Sequence, residues 1–339
     1  MKSSLNWRMV LAVSLTLVLL AWFVSGLDGD ALLAELSRAS WSWLALASVA
    51  MLTEWFLRGV RWYVVLHAVH PEVMVRDLVS ATFVGAALNT LLPLRGGDVA
   101  RPGVVYRRSG VPFATALSSS LVERFFDLFG MVGVVVLTLV LVPTQEPGGL
   151  LGTLQSWGYL FAALSVGGLV VAGVLANGLG HRPAKAIIER LPRRARPGAR
   201  EAFERTVSGL SVVRRPTHFA EVVVLTGLVW LATLASLVMT FWAVGVNLPM
   251  AGALFVQAAL LIAIALPQAP GFLGVFQVVM EQTTTLWGAS EGQAQALALM
   301  YWVVSYVPVT VIGLIAVWRE GLDLLRPRKV MSGIMEEDP

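Results

Sequence analysis

Long apolar runs separated by short polar breaks fill most of this 339-residue chain. They fall near residues 9–27, 41–66, 78–93, 112–142, 156–177, 219–246, 251–267, 271–287 and 294–318. Crossing a hydrocarbon core about 30 Å thick takes roughly 20 helical residues, a length most of the runs reach. Ten-residue stretches of alternating polarity, as in membrane barrels, are absent, so the runs predict helices. The expected fold class is all-α, a polytopic membrane protein. Hydrophobic residues make up 57% of the chain and charged residues 14%, well under the approximately 25% charge of a soluble domain. The first run follows Lys2 and Arg8 without a small-x-small cleavage site and reads as a retained span.

Charge in the breaks sets an orientation. Asp28, Asp30 and Glu35 follow the first run, and Glu146 alone is charged in 143–155. Between 181 and 215 there are ten basic residues, from Arg182 to Arg215, and the tail carries Arg319, Arg326, Arg328 and Lys329. By the positive-inside rule, that loop and both termini are cytoplasmic. Nine simple crossings conflict with this, because Arg101, Arg107 and Arg108 would then lie outside. Two helical hairpins remove the conflict. One enters from the cytoplasm and turns at Pro93; the other enters from outside and turns at Pro267–Gly271. About six full spans remain. The expected domain runs over 1–325, with halves at 1–180 and 216–325 around the basic loop and a tail at 326–339. Phe203, Val207 and Leu210 give that loop an amphipathic helix for an anionic leaflet.

The two turns are alike: Leu92-Pro93-Leu94-Arg95-Gly96-Gly97 and Leu266-Pro267-Gln268-Ala269-Pro270-Gly271. Short segments broken by proline and glycine, at matching places in two halves, point to a midplane transport site. In the first, Asn89, Pro93, Arg95, Gly96, Gly97, Asp98 and Arg101 are candidate substrate ligands, since backbone amides and a guanidinium suit phosphate. The alternative is that Asp98 caps the next helix, with Arg101 at the cytoplasmic surface or paired to Asp98 three residues away. Glu123, Arg124 and Asp127 sit well inside an apolar run, where each charge costs about 2.5–3.5 kcal/mol, so they should face protein or a wet cavity. Glu54, Arg58 and Arg61 form a stripe read as internal pairing, with Arg61 reaching the interface. In the second half, Pro267, Gln268, Pro270, Gly271 and Glu281 are candidates, with Gln277 one turn before Glu281. His67 and His70 lack a ligand framework and read as interfacial. Cysteine is absent, which excludes disulfides and thiolate chemistry. No phosphate-binding loop, hydrolase elbow or zinc-protease motif occurs, and neither cofactor nor metal is expected.

Together, Asn89…Pro93-x-Arg95-Gly-Gly-Asp98-x-x-Arg101, Glu123-Arg124-x-x-Asp127 and Pro267…Pro270-Gly271-x-x-Gly274-Val-Phe resemble the lysylphosphatidylglycerol synthase transmembrane (flippase-like) family over nearly the whole chain. The resemblance implies a helical domain that translocates lipids. It departs in two ways: the chain ends about 20 residues after its last run, where bifunctional relatives continue into an aminoacyl-transferase domain, and Gln277 stands where the family pattern tends to have glutamate. The function expected is a flippase or scramblase-like transporter of an anionic or phosphate-bearing lipid in a bacterial-type inner membrane, and not an enzyme. Partners are membrane lipids, with a homo-oligomer or a lipid-modifying enzyme open and no nucleic acid. Alternatives are an accessory subunit of a glycosyltransferase or lipid-modifying enzyme, and a head-group enzyme using Glu123 or Asp127.

Overall fold

The computed structural model describes residues 24–26, 29–91, 96–141, 216–265 and 270–319, with isolated positions between 156 and 196. The described elements are all helical: α1 (Gly29–Arg38), α2 (Trp41–His67), α3 (Val75–Leu91), α4 (Gly97–Ser109), α5 (Phe113–Leu141), α6 (Pro216–Ala243), α7 (Met250–Ala265), α8 (Val275–Leu286) and α9 (Glu291–Arg319). Four are long and apolar enough to cross a membrane: α2, α5, α6 and α9. The chain is a multi-pass membrane protein. The expected spans 9–27 and 156–177, the basic loop and the tail lie largely outside the described residues.

Helices α2 and α6 run antiparallel along their length. Ser40 N donates to the Ala243 carbonyl at one end (2.8 Å), Ser236 Oγ reaches the Ala47 carbonyl (2.9 Å), and Arg61 Nη1 meets Thr226 Oγ1 (3.2 Å) further along. Without a hydrophobic drive between helices in lipid, such contacts need close backbones, which small residues permit. A methyl on Gly313 of α9 would stand 2.3 Å from the Phe83 carbonyl oxygen of α3, and one on Gly130 of α5 would overlap the Trp230 indole of α6.

Four of the shorter helices form two antiparallel pairs. In α3–α4, Asp77 near the start of α3 accepts from Arg108 Nη1 near the end of α4 (2.9 Å), while Asn89 Nδ2 reaches Asp98 Oδ1 at the other end (3.0 Å). Gly85 and Gly97 set the separation: a methyl on Gly97 would lie 1.9 Å from the Gly85 carbonyl oxygen. In α7–α8, Trp287 just beyond α8 packs on Gly252 and Phe255 in the first turns of α7. The first pair departs from the C-terminal end of α2 and the second from the C-terminal end of α6, which are opposite ends of the antiparallel α2–α6 unit. The 270–272 turn, ahead of α8, packs against α3.

Helix α4 departs from expectation. Its arginines read as cytoplasmic, with Arg101 at the surface, yet Ala100, Arg101, Pro102, Gly103, Val104 and Val105 are buried. Packed between α3 and α5, it faces protein rather than lipid, so it can carry charge without a continuous apolar surface.

Candidate functional site

Three helices bring eight charges together. From α2 come Glu54, Arg58 and Arg61; from α4, Asp98 and Arg101; from α5, Glu123, Arg124 and Asp127. The four-residue and three-residue spacings place each set on one helix face, as needed for contact with a neighbour. Glu123 and Asp127 lie ten or more residues from either end of α5, at mid-helix depth.

The pairing runs as a chain. Arg58 holds Glu54 and reaches Asp127 (2.7 Å). Arg61 Nη2 bridges Asp127 Oδ1 (2.5 Å) and Glu123 Oε1 (3.3 Å). Arg101 Nη1 takes the other oxygen of Glu123 (2.6 Å) and its Nη2 donates to Ser120 (2.5 Å). Arg124 donates to Asp98 from Nη2 and to Asp127 from Nη1 (3.3 Å). The Trp62 ring lies 4.8 Å from the Arg101 guanidinium and its Nε1 donates to Ser119 (2.9 Å), while Trp55 stacks near Arg58 (5.5 Å). Four guanidinium groups thus meet four carboxylates, and the network balances.

Burial grades along it. The Arg61 and Glu123 side chains are 0% and 1% exposed, whereas Asp98 and Arg124 are 32% and 39% exposed. Removing one partner of a fully buried ion pair costs about 3–5 kcal/mol, since the other charge is left uncompensated; an accessible pair contributes roughly 1 kcal/mol or less. The inner members hold helices together, and the outer edge is the exchangeable part. Pro102 lacks an N–H and so cannot donate to the Asp98 carbonyl four residues back, adding an acceptor at that edge.

Six of the sequence candidates meet here: Asn89, Asp98, Arg101, Glu123, Arg124 and Asp127. Three readings change. Arg101 is 4% exposed and paired to Glu123, not at the surface, because α4 folds back into the bundle. Asp98 does not cap α4; Gly96 is the N-cap, without a side-chain bond, and Asp98 serves Arg124 and Asn89 instead. Arg61 does not reach an interface, since α5 and α6 enclose it. Gly97 closes the α3–α4 contact. Pro93, Arg95, Pro267 and Gln268 lie outside the described residues, as does the Pro270 side chain.

The second pair is built differently. The Gly271 carbonyl accepts from Trp302 Nε1 (2.7 Å), Phe272 stacks on Tyr306 (5.2 Å between centroids), and Phe276 packs against Tyr301 and Tyr306. Gly271 has φ of 79° and Phe272 of 57°, a left-handed turn rare for a bulky residue and held here by aromatic packing. Gln277 is buried; its Oε1 accepts from the Gly274 amide (2.7 Å) and its Nε2 finds no partner among the described residues. Glu281 stands away from the charge network and accepts from Gln295 Nε2 (3.3 Å).

This architecture has recognisable relatives. The family model described as lysylphosphatidylglycerol synthase TM region matches residues 9–313. The chain belongs to this family. It is 26% identical over 296 residues to a Haloferax volcanii protein named glycosyltransferase AglD, with 79% of this chain and 47% of that protein aligned, so the chain spans about half of that relative. Two UPF0104 membrane proteins of Methanothermobacter thermautotrophicus are each 25% identical, over 90% of both chains. No solved structure matches.

For this family member, the 54–61 stripe reads as charge pairing that locks helices together, and Arg58 and Arg61 do bind both acids of α5. Thr226 and Ser120 add hydroxyl acceptors to Arg61 and Arg101, and their only signal is a hydroxyl within an apolar run.

Proposed function

We propose that this family member moves a phosphate-bearing or anionic lipid between leaflets as a flippase or scramblase. One observation carries the reading: a charge-balanced network at mid-helix depth opens at Asp98 and Arg124. A guanidinium facing hydrocarbon at that depth is costly, so this edge lines a wet cleft, which a lipid head group crossing the bilayer requires. The α3–α4 and α7–α8 pairs are, in this reading, re-entrant hairpins from opposite faces, with six full spans and cytoplasmic termini in an inner membrane. Their described helices have 17, 13, 16 and 12 residues; at about 1.5 Å per residue none exceeds roughly 26 Å, short of a 30 Å core. Arg124 contacts the phosphate, and the 270–272 turn, packed against α3, closes the site from the opposite side.

Reconstitution tests this. Liposomes containing the protein should redistribute labelled phosphatidylglycerol or a polyprenyl phosphate between leaflets faster than empty liposomes. Unchanged distribution for both lipids would sink the proposal.

A second reading has support in the relative named as a glycosyltransferase, of which this chain matches about half. There the domain positions a lipid-modifying or glycosyltransferase partner without moving lipid itself. Stable co-purification of such a partner, with no redistribution by the isolated protein, would favour it.

A further inference from the structure

The network has no spare cation. Arg58, Arg61, Arg101 and Arg124 are matched by Glu54, Asp98, Glu123 and Asp127, so among the described residues of the network an added phosphate finds no guanidinium without a carboxylate. Binding must therefore be an exchange in which one carboxylate leaves. Which one follows from burial and partners. Glu123 is held by two arginines and is 1% exposed, and Asp127 is held by three. Glu54 is buried beside Arg58. Asp98 alone is both substantially exposed and held by one arginine, Arg124, with its remaining contact from the neutral Asn89 amide on the same oxygen.

We propose that Asp98 is an internal stand-in for the lipid phosphate: it occupies Arg124 when the site is empty, and phosphate displaces it. This rests on the lipid-transport reading and adds the residue that sets affinity. Arg124 suits the exchange because its two Nη groups are divided: Nη1 stays on Asp127 while Nη2 passes from carboxylate to phosphate. Asn89 Nδ2 donates to the same Asp98 oxygen and helps hold it on Arg124, so phosphate must overcome both contacts. Asp98 is thus a specificity-determining residue, disfavouring weak anions that cannot outcompete a carboxylate.

The test uses the full chain in maltoside detergent, with short-chain phosphatidic acid below its micelle concentration as probe, read by calorimetry. Asp98→Asn keeps the shape and the Asn89 contact but removes the competing charge. It should bind the probe about tenfold more tightly than wild type, the scale of one charge-assisted hydrogen bond. Arg124→Gln should bind at least about tenfold more weakly. Inorganic phosphate should show the same ordering at lower affinity; equal affinity for the two probes would support the exchange and assign it to phosphate without its lipid tails. If Asp98→Asn does not fold, Asn89→Ala serves, since loosening Asp98 should tighten binding modestly. Should Asp98→Asn or Asn89→Ala, folded by its thermal midpoint, bind equally or more weakly, the exchange is overturned. In that case lipid movement by wild-type liposomes would leave the transport reading standing. No probe binding and no lipid movement by any form would overturn both.

Discussion

Each helical pair follows a long helix, α2 or α6, and the two pairs are stabilised by opposite chemistry. The α3–α4 pair closes on two glycines and delivers Asp98 and Arg101 to an ionic network. The α7–α8 pair closes under a tryptophan and leads with a turn set among Trp302, Tyr306 and Tyr301. Its buried polar groups are neutral, the Thr283 and Thr284 hydroxyls with two glutamines: both polar atoms of Gln257 and Nε2 of Gln277 are buried without a partner among the described residues. The same architectural element can therefore carry charge on one side and aromatic bulk on the other. The neighbour decides which. Helix α5 offers Glu123 and Arg124 to the first pair, whereas α9 offers rings to the second. The reading of one polar wall and one apolar wall fits a lipid that has a head group and tails.

The comparison can be broken most decisively through its topology. The chain lacks cysteine, so single substitutions label cleanly. Glu72→Cys and Pro112→Cys, flanking the first pair, should react with an impermeant maleimide from one side of sealed vesicles. Asn247→Cys and Ser290→Cys, flanking the second, should react from the opposite side. Labelling of positions 72 and 112 from different sides would mean that α3 and α4 do not re-enter.

Stability comes next. Arg61→Ala leaves Glu123 and Asp127 short of a buried partner and should cost about 3–5 kcal/mol, seen as a large fall in thermal midpoint. Gly97→Ala should cost about 1–3 kcal/mol or more, because the clashing atom is a backbone oxygen. Gly252→Ala should cost less, since the Trp287 ring 2.9 Å from the added methyl can tilt. Trp302→Phe removes the bond to the Gly271 carbonyl and should cost about 1 kcal/mol. Smallest of all, Glu281→Gln should change stability by no more than about 0.5 kcal/mol, and lipid redistribution should follow Glu123 rather than Glu281. If Glu281→Gln abolished redistribution while Glu123→Gln spared it, the functional weight would lie with the second pair.

Much of the fold was legible because membrane helices advertise themselves. The runs 41–66, 112–142, 219–246 and 294–318 correspond to α2, α5, α6 and α9, since lipid contact demands apolar length. The doubling back of the chain after 78–93 was readable from arginine placement, and the structure gives α3–α4 as an antiparallel pair. The burial of helix α4 was hidden: it is enclosed by protein, so no apolar run marks it. Glu123, Arg124 and Asp127 stood out in the sequence as charges in a run that excludes them. Which partner each takes was not legible, because Arg61, Asp98 and Arg101 are distant in the chain and meet them only when α2, α4 and α5 pack.

The sequence by itself determined that the chain is helical and membrane-embedded, and that two segments are broken by proline and glycine. Those properties follow from local hydrophobicity, backbone chemistry and loop charge. Only the tertiary structure decided which carboxylate each arginine holds and that the network opens at Asp98 and Arg124. Charges on separate helices have no preferred partner in sequence. The close approach at Gly85 and Gly97 and the packing of α2 against α6 fix the distances that choose one.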